Sequence, residues 1–595
     1  AYTGGGASYT ASSGFSATQG ANNWRYQDFG GGSACPLAGF AETSVNYIPW
    51  FSVWNRAEQD GVAIGFDYYG RWAMDAGNQH GGPGSLSLAI PNYEATLAPS
   101  ESVTTPRAFT SVYVDDLDVM TNDLLDWQYR YLWDYTRSPY FAGIRMLGYW
   151  YTGSQWTGSW DQAGTLQKVF GIAPHLQSIG ADTYHRDNGW WDTPGNWDGP
   201  DFRQSVDYLG ASGMKQLTYM MAYDANTDSR IYRDHPDWFA NASPCGYAER
   251  LIDLTKPGAE SWMGDLLIGK AQAWGDFQWR NDACPVPDTA GAHQLAQDQA
   301  FRRVQARFLD TRAGSAIQGV DSGGNDVSWE FMRMASGFSI TDLNGFDAQY
   351  DASRLFAGDK MSGIPDQWSP GSCTTAWNAL LMFNPDFTGD TNDPAKLTCM
   401  RRLVEKYRYM RDKGLVGRWV HQYHPDATDN VRNWYQRVSG DRASSLVVYK
   451  GSGSGAAVTV YPRGLDPATT YDVRYELASG SASRTGADLM ANGVRLGSVA
   501  SGELVWIGLP KHPGGGQDRT APSAPTNVQA HVRTQMNWAG VQVTWDAATD
   551  DNWVSGYEVS LLGRVLGVVS KGRSFFHTGA LASPNAPYVV KAVDG

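Results

Sequence analysis

The chain has 595 residues, 42% hydrophobic and 18% charged, with a formal net charge of −14. That length exceeds what one hydrophobic core can serve and, at about 100–200 residues per domain, points to three to five domains. An acidic balance without Lys/Arg runs argues against nucleic acid and anionic membranes as partners, and no uninterrupted apolar run of about 18 residues reads as a membrane span.

The opening AYTGGGASYT has neither the basic region nor the apolar core of a signal peptide, so a soluble, already processed chain is expected. Residues 1–140 are rich in Gly, Ser, Tyr and Trp, carry strand-like runs such as GVAIGFDYYGRW (61–72) and AFTSVYVDDLDV (108–119), and show little helical periodicity. An all-β N-terminal domain, a β-sandwich, is predicted there.

From about residue 141 short apolar runs alternate with amphipathic helices, the pattern of parallel β/α units. GIRMLGYWY (143–151), ADTYHRD (181–187), QLTYMMAYD (216–224), FQWRND (277–282), SAIQGVD (315–321) and GFSITD (337–342) read as strands. TLQKVFGIAPHLQSIG (165–180), SWMGDLLIGKAQAWG (261–275), AFRRVQARFLD (300–310) and DPAKLTCMRRLVEKYRYMRDKG (393–414) read as helices, the last capped by Asp393 with Pro394 in its first turn. The span 141–425 has the size of a (β/α)8 TIM barrel, in which polar residues at the C-terminal ends of strands do the chemistry. Asp187, Asp282, Asp321 and Asp342 take such ends.

Alternating strands return past about 430 in SSLVVYKG, AAVTVYP, TTYDVRYE and GELVWIGLP, giving a C-terminal antiparallel β domain over 426–510. The Pro/Gly-rich stretch 511–525 reads as an extended linker. Residues 526–595 then form a separate module.

Aromatic residues make up 13% of the chain, including 25 Trp, and several crowd the polar loop NGWWDTPGNWDG (188–199). Large cores account for many of them; in that loop a face for stacking on a sugar ring is the expectation. The five Cys (Cys35, Cys245, Cys284, Cys373, Cys399) show no metal-ligand spacing. In an oxidising compartment Cys245 with Cys284 and Cys373 with Cys399 are the pairs to test. Ten scattered His give no zinc signature, and no cofactor is implied.

Strand-end acids without a metal motif suit a pair of carboxylates, one attacking an anomeric carbon and one protonating the leaving oxygen. Strand ends and helix caps also explain isolated acids.

The segment DSRIYRDHPDWF (228–239) resembles a signature of glycoside hydrolase family 36, the melibiase or α-galactosidase family, in which D-S-x-L-Y-x-x-H-P-D-W follows the fourth barrel strand. In chain order RDNGWW (186–191) resembles the family's D-D-G-W, GNW (195–197) its G-D-W, LIDLTKPGAESWM (251–263) its L-D-L-T-x-P, and WGDFQWRND (274–282) its W-G-x-x-Y-x-K-W-D. DSGGNDVSWEFM to SITD (321–342) resembles its C-S-G-G-G segment closing on S-D, and the likeness spans roughly 50–510. The resemblance implies a retaining mechanism with Asp282 as nucleophile and Asp342 as general acid/base. Asp321, Asp326 and Glu330 are rival acids for the second role. It also implies that Arg280 stands where a lysine grips sugar hydroxyls, that Asp187, Asn188, Trp190 and Trp197 line the sugar pocket, and that YYGRW (68–72), with Trp72, reaches over the barrel from the N-terminal domain. His235 and Trp238 are expected to be structural.

Three positions depart from the pattern: Asn188 replaces the second Asp of D-D-G-W, Asp321 replaces the cysteine, and the arginine expected after it is absent. Reaction type is therefore better supported than sugar identity. The last segment resembles a fibronectin type III domain through Trp545 in VTW, Tyr557 in GYEV and the closing YVVKAVDG, about one strand short of that fold. The expected protein is a secreted α-galactosidase-like hydrolase of oligo- or polysaccharide. An α-N-acetylgalactosaminidase, another α-glycosidase, or a non-catalytic carbohydrate-binding protein are the alternatives.

Overall fold

The computed structural model describes residues 6–11, 24–28, 49–55, 58–68, 70–77, 85–133, 147–149, 162–186, 190–199, 202–241, 248–282, 291–319, 329–339, 350, 352–362, 378, 381, 384–385, 387–388, 394–416, 419–421, 434–451, 457–478, 480–496, 502–509, 520–535, 538–570, 572–578 and 587–594. Asp187, Asn188, Asp321, Asp326, Asp342, Cys35, Cys245, Cys284 and Cys373 lie outside them.

Eight strands form one parallel sheet at the centre: β1 Leu147–Tyr149, β2 Thr183–Arg186, β3 Lys215–Tyr219, β4 Phe277–Asn281, β5 Ala316–Gly319, β6 Gly337–Ser339, β7 Met361–Ser362 and β8 Phe387–Thr388. Their order is β7-β6-β5-β4-β3-β2-β1-β8, and every paired neighbour among them runs parallel. The last strand adds beside the first, which is the order of a sheet curling towards a barrel. Six helices accompany the strands: α1 Gln162–Ser178, α2 Arg203–Ala211, α3 Ala259–Trp274, α4 Gly291–Thr311, α5 Trp329–Met334 and α6 Pro394–Asp412. On α3 the stripe Ala259, Met263, Leu267, Ala271, Trp274 is buried at helical spacing, and Phe301, Val304 and Phe308 do the same on α4.

The signature segment 228–239 lies between β3 and β4, so it follows the third strand of the sheet and not the fourth as the family pattern implied. Here the chain inserts a small antiparallel sheet of Asp224–Ala225, Phe239–Asn241 and Arg250–Ile252. Ser229 caps the five-residue helix Arg230–Asp234, accepting from Tyr232 N at 3.3 Å. His235 stacks on Trp238 at 3.8 Å and 8°.

The N-terminal part is a five-stranded antiparallel sheet plus the hairpin Ala73–Gly77/Ser85–Ala89. Its all-β expectation needs one correction. After strand Arg107–Val114, Asp116 accepts from the N–H groups of Asp118 and Val119 and caps a helix, Leu117–Trp127. Short polar D-D-L-D text masked the periodicity of Leu117, Met120, Leu124 and Leu125, all buried.

The C-terminal antiparallel domain has a six-stranded sheet and the pair Val458–Val460/Val494–Leu496. Its sheet takes in Trp419–His421, which pairs with Trp434–Val438, so it begins ahead of the boundary placed at 426.

Past 520 come two three-stranded antiparallel sheets: Gln529–Gln535, Trp538–Thr544, Ser574–Thr578, and Arg564–Val569, Gly556–Leu561, Tyr588–Val593. They share a core that includes Trp545 and Tyr557, with ring centroids 5.3 Å apart. This unit does not hang free on its linker. Trp538, Trp553 and Phe576 join the same buried cluster as α1, α2 and α6 side chains. Gln177 Nε2 donates to Ser574 O at 2.8 Å, Arg408 Nη1 to Ser555 O at 3.1 Å, and Trp553 Nε1 to Asp412 Oδ2 at 3.1 Å.

Candidate active site

The strand β4 is buried along its whole length, and its alternation divides two roles. Trp279 turns to the helices, against Phe301 and Phe308 of α4, and its Nε1 donates to Met220 O at 2.6 Å. Gln278 and Arg280 point the other way. Gln278 Nε2 donates to Ser336 Oγ at 2.8 Å, and Arg280 Nη1 to Gln318 Oε1 of β5 at 3.0 Å. Asp282 follows the strand by one residue, is 7% exposed, and is placed at the C-terminal edge of the sheet as its strand-end reading requires.

Arg280 is buried, 4% exposed. Across the sheet it acts on His185 of β2, whose imidazole is driven well below its ordinary pKa, first by burial and then by the Arg280 charge. His185 is thus neutral beside the Arg280 cation.

The loop 190–199 is laced to the signature segment. Asn226 N donates to Pro194 O at 3.1 Å, Arg230 N to Asn196 Oδ1 at 2.7 Å, and Asp198 pairs with Arg230 at 2.8 Å. Trp197 sits at φ 54° and its carbonyl accepts from Lys270 Nζ of α3 at 2.7 Å. Gly195 has φ +96°, and a Cβ there would stand 2.7 Å from Ser229 Oγ and 2.9 Å from Ala225 Cβ. Gly195→Ala is therefore expected to cost about 1–3 kcal/mol in a denaturant titration, through both the positive φ and the clash. An unchanged midpoint would contradict this packing.

The sugar-stacking role expected of Trp190 and Trp197 is corrected by their burial, 2% and 0% exposed. Trp190 is edge-on to Trp274 at 5.3 Å and donates its Nε1 to Tyr219 O at 2.6 Å; Trp197 packs on Trp191 at 4.9 Å. Of the three loop indoles, Trp191 is only half-buried. Trp72 is corrected in the same way: 3% exposed, it packs with Tyr68, Met74 and Leu295. Its loop touches α4, where Arg71 N donates to Gln294 Oε1 at 2.8 Å. These indoles wedge loops in place, which a sequence cannot distinguish from a ligand platform.

Glu330, a rival acid, belongs to a seam with the N-terminal sheet. It pairs with Arg302 at 2.7 Å beside the Arg333–Asp67 pair at 2.6 Å. Burial, opposed by Arg302, holds its pKa well above the usual carboxyl range. Asp253, in LIDLT, accepts from Thr255 N at 3.0 Å, from Thr255 Oγ1 at 2.6 Å and from Gln297 Nε2, tying the insertion to α4.

One strand-end acid was given no role by the sequence. Asp224 is 1% exposed, neither carboxyl oxygen has a hydrogen-bond partner among the described residues, and burial followed by repulsion from Asp282 lifts its pKa well above the ordinary range. Its position at the end of QLTYMMAYD was visible; its burial was not. Cys399 is disulfide-bonded, whereas Cys373, its expected partner, lies outside the described residues, as do Cys245 and Cys284. Among the described residues no group of three or more His, Cys, Asp or Glu could hold a metal, and no helix is long and apolar enough to cross a membrane.

No family model matches the chain. Two curated proteins are similar over 77 residues: exoglucanase B of Cellulomonas fimi at 39% identity and an α-amylase of Niallia circulans at 40%. The stretch is 13% of this chain and only 7% and 6% of those proteins. Among solved structures, the family 36 α-galactosidase AgaA of Geobacillus stearothermophilus superposes with a TM-score of 0.70 at 15% identity, covering 85% of this chain and 75% of that one. Variants of AgaA have been solved with raffinose and with stachyose. The galactosidase domain of the α-galactosidase–sucrose kinase AgaSK gives 0.68 at 16% identity, covering 84% and 74%, and the Lactobacillus brevis α-galactosidase 0.68 at 14%, covering 84% and 73%. The chain thus carries the multidomain fold of the family 36 α-galactosidases, built on a parallel β/α sheet with Asp282 at a strand end.

Proposed function

We propose that the protein is a retaining α-glycosidase of the α-galactosidase kind, releasing a terminal α-linked sugar from an oligo- or polysaccharide by double displacement. The observation that carries this reading is the buried Arg280–Asn281–Asp282 strand end in a fold shared with α-galactosidases. Asp282 attacks the anomeric carbon and Asp342 protonates the leaving oxygen. Water, activated by the same Asp342 as base, then releases the sugar. The scheme needs the two carboxyls about 5–5.5 Å apart. Arg280, with Asp187, Asn188 and Asp321, grips hydroxyls, and the changed residues Asn188 and Asp321 choose the sugar. The raffinose and stachyose held by AgaA variants make α-galactosyl oligosaccharides the first substrates to try.

Secretion is part of the proposal, supported by the disulfide at Cys399. So are a closed barrel and a fibronectin type III module at the C-terminus. The latter is supported by the two-sheet topology past 520.

The test is a panel of aryl α-glycosides of galactose, N-acetylgalactosamine, glucose and L-arabinopyranose, with the anomer of the first product followed by NMR. Cleavage of one of them with an α-configured first product is the expected result. Absence of any cleavage, or a β product, defeats the reading. Cleavage of the N-acetylgalactosaminide alone would select that specificity.

A further inference from the structure

The carboxyl of Asp224 has no task in the double displacement, and it is costly to bury. Both its oxygens are shut off from solvent and unpartnered, while most buried polar groups in folded proteins find a hydrogen bond. The backbone brings it to the candidate nucleophile. Beyond β3 the ladder continues, with Met220 N donating to Arg280 O at 3.1 Å. The chain then turns back as Asp224 N donates to Met221 O at 2.9 Å, and the bridge Asp224↔Leu251 fixes its register. The charged group on the paired strand, Arg250, is directed elsewhere, to Glu249 O at 2.7 Å and over the Tyr232 ring at 5.8 Å. Of the charged groups around Asp224, the one that acts on it is Asp282.

We propose that Asp224 is a positioning acid for Asp282: it sits behind the nucleophile as a neutral carboxyl, so that the single negative charge of the pair rests on the residue facing the sugar. Two carboxyls in one low-dielectric site do not ionise together, and the one farther from water keeps its proton. The exposures order the pair, 1% for Asp224 and 7% for Asp282. A neutral neighbour spares Asp282 the repulsion of a second anion, and its carboxylate offers an electron pair to the anomeric carbon. Asp224 works through Asp282 and does not touch substrate.

This inference rests on Asp282 being the nucleophile, and its test is separable from that reading. In protein labelled with 13C at aspartate carboxyls, one resonance beyond that of the general acid Asp342, which Asp342→Asn identifies, is expected to titrate far above the others, and Asp224→Asn, of the same shape and permanently neutral, is expected to remove it. A wild-type spectrum without such a resonance, or one that keeps it in Asp224→Asn, overturns the inference whether or not any glycoside is cleaved. Asp224→Ala guards against an accidental effect of the amide and should lose the same resonance.

The kinetic arm uses an aryl glycoside whose leaving group needs no protonation, so that the pH dependence of kcat/KM reports the pair and not the general acid. Loss of the alkaline inflection in Asp224→Asn supports the role, and an unchanged profile overturns it. If the resonance moves as expected but no glycoside is turned over, the paired acid stands and the glycosidase reading fails.

The stability arm has a definite sign. A carboxyl whose pKa is raised by folding contributes stability that is complete below its unfolded value, about 3.9, and is lost as pH rises through the folded value. Wild type should therefore lose stability with rising pH relative to Asp224→Asn, and a variant less stable than wild type at every pH counts against the proposal.

Discussion

Asp282→Asn is expected to lower kcat on any aryl α-glycoside that the protein cleaves by about 10³-fold or more, with little change in thermal unfolding. An amide has the size of the carboxylate but cannot form the glycosyl ester, so the first displacement stops at the step where the nucleophile is indispensable. The strand that carries Asp282 is held by other contacts: Trp279 hydrogen-bonds Met220 O, and the β4 ladder runs between β3 and β5. The variant should therefore keep its fold, and lost activity can be assigned to chemistry. Full activity in Asp282→Asn would remove Asp282 from the reaction and with it the positioning role of Asp224 for a nucleophile, while the pairing of the two acids would still be decided by the carboxyl titration.

Tyr208→Ala is expected to destabilise the protein by about 3–5 kcal/mol, the range for deleting a large aromatic from a core. Tyr208, on α2, is fully buried, lies 4.5 Å from Phe170 of α1, and meets Trp538 and Phe576 of the C-terminal unit at 5.6 and 5.5 Å. Its hydroxyl is 2.9 Å from Thr578 Oγ1. The conservative Tyr208→Phe keeps the rings in contact and should cost about 1 kcal/mol for the hydrogen bond alone. Calorimetry distinguishes a docked unit from a tethered one. A docked unit melts together with the barrel in wild type, and in Tyr208→Ala its transition separates or both fall. Two independent transitions in wild type, with Tyr208→Ala shifting only the barrel, would mean that the contact carries no coupling.

The docking was not to be expected from a Pro/Gly-rich linker, whose composition speaks only for reach. Nothing in Tyr208, Arg408 or Trp553 announces a partner far along the chain, since an aromatic on a helix reads equally as core of its own domain. What closes the gap is complementarity of two surfaces, a property of folded units.

Local text was sufficient where physics is local. The alternation of apolar runs and amphipathic stripes fixed the parallel sheet with its helices α1, α3, α4 and α6, because burial on one face of a 3.6- or 2-residue repeat leaves a periodic trace. The strand end at Asp282 was legible for the same reason. The lacing of the loops was not legible, because Gly195 packs on Ser229 and Asn196 accepts from Arg230 N across more than thirty residues of chain. Only the tertiary structure decided which indoles are wedges, since Trp190, Trp197 and Trp72 are filled in by side chains from distant segments. It also revealed Asp224, whose significance is not its residue type but the removal of water from around it and the nearness of a second acid across the sheet. Charge, burial and contact between remote strands are set by how the sheet, its insertions and its neighbouring domains pack together, and no window of sequence contains them.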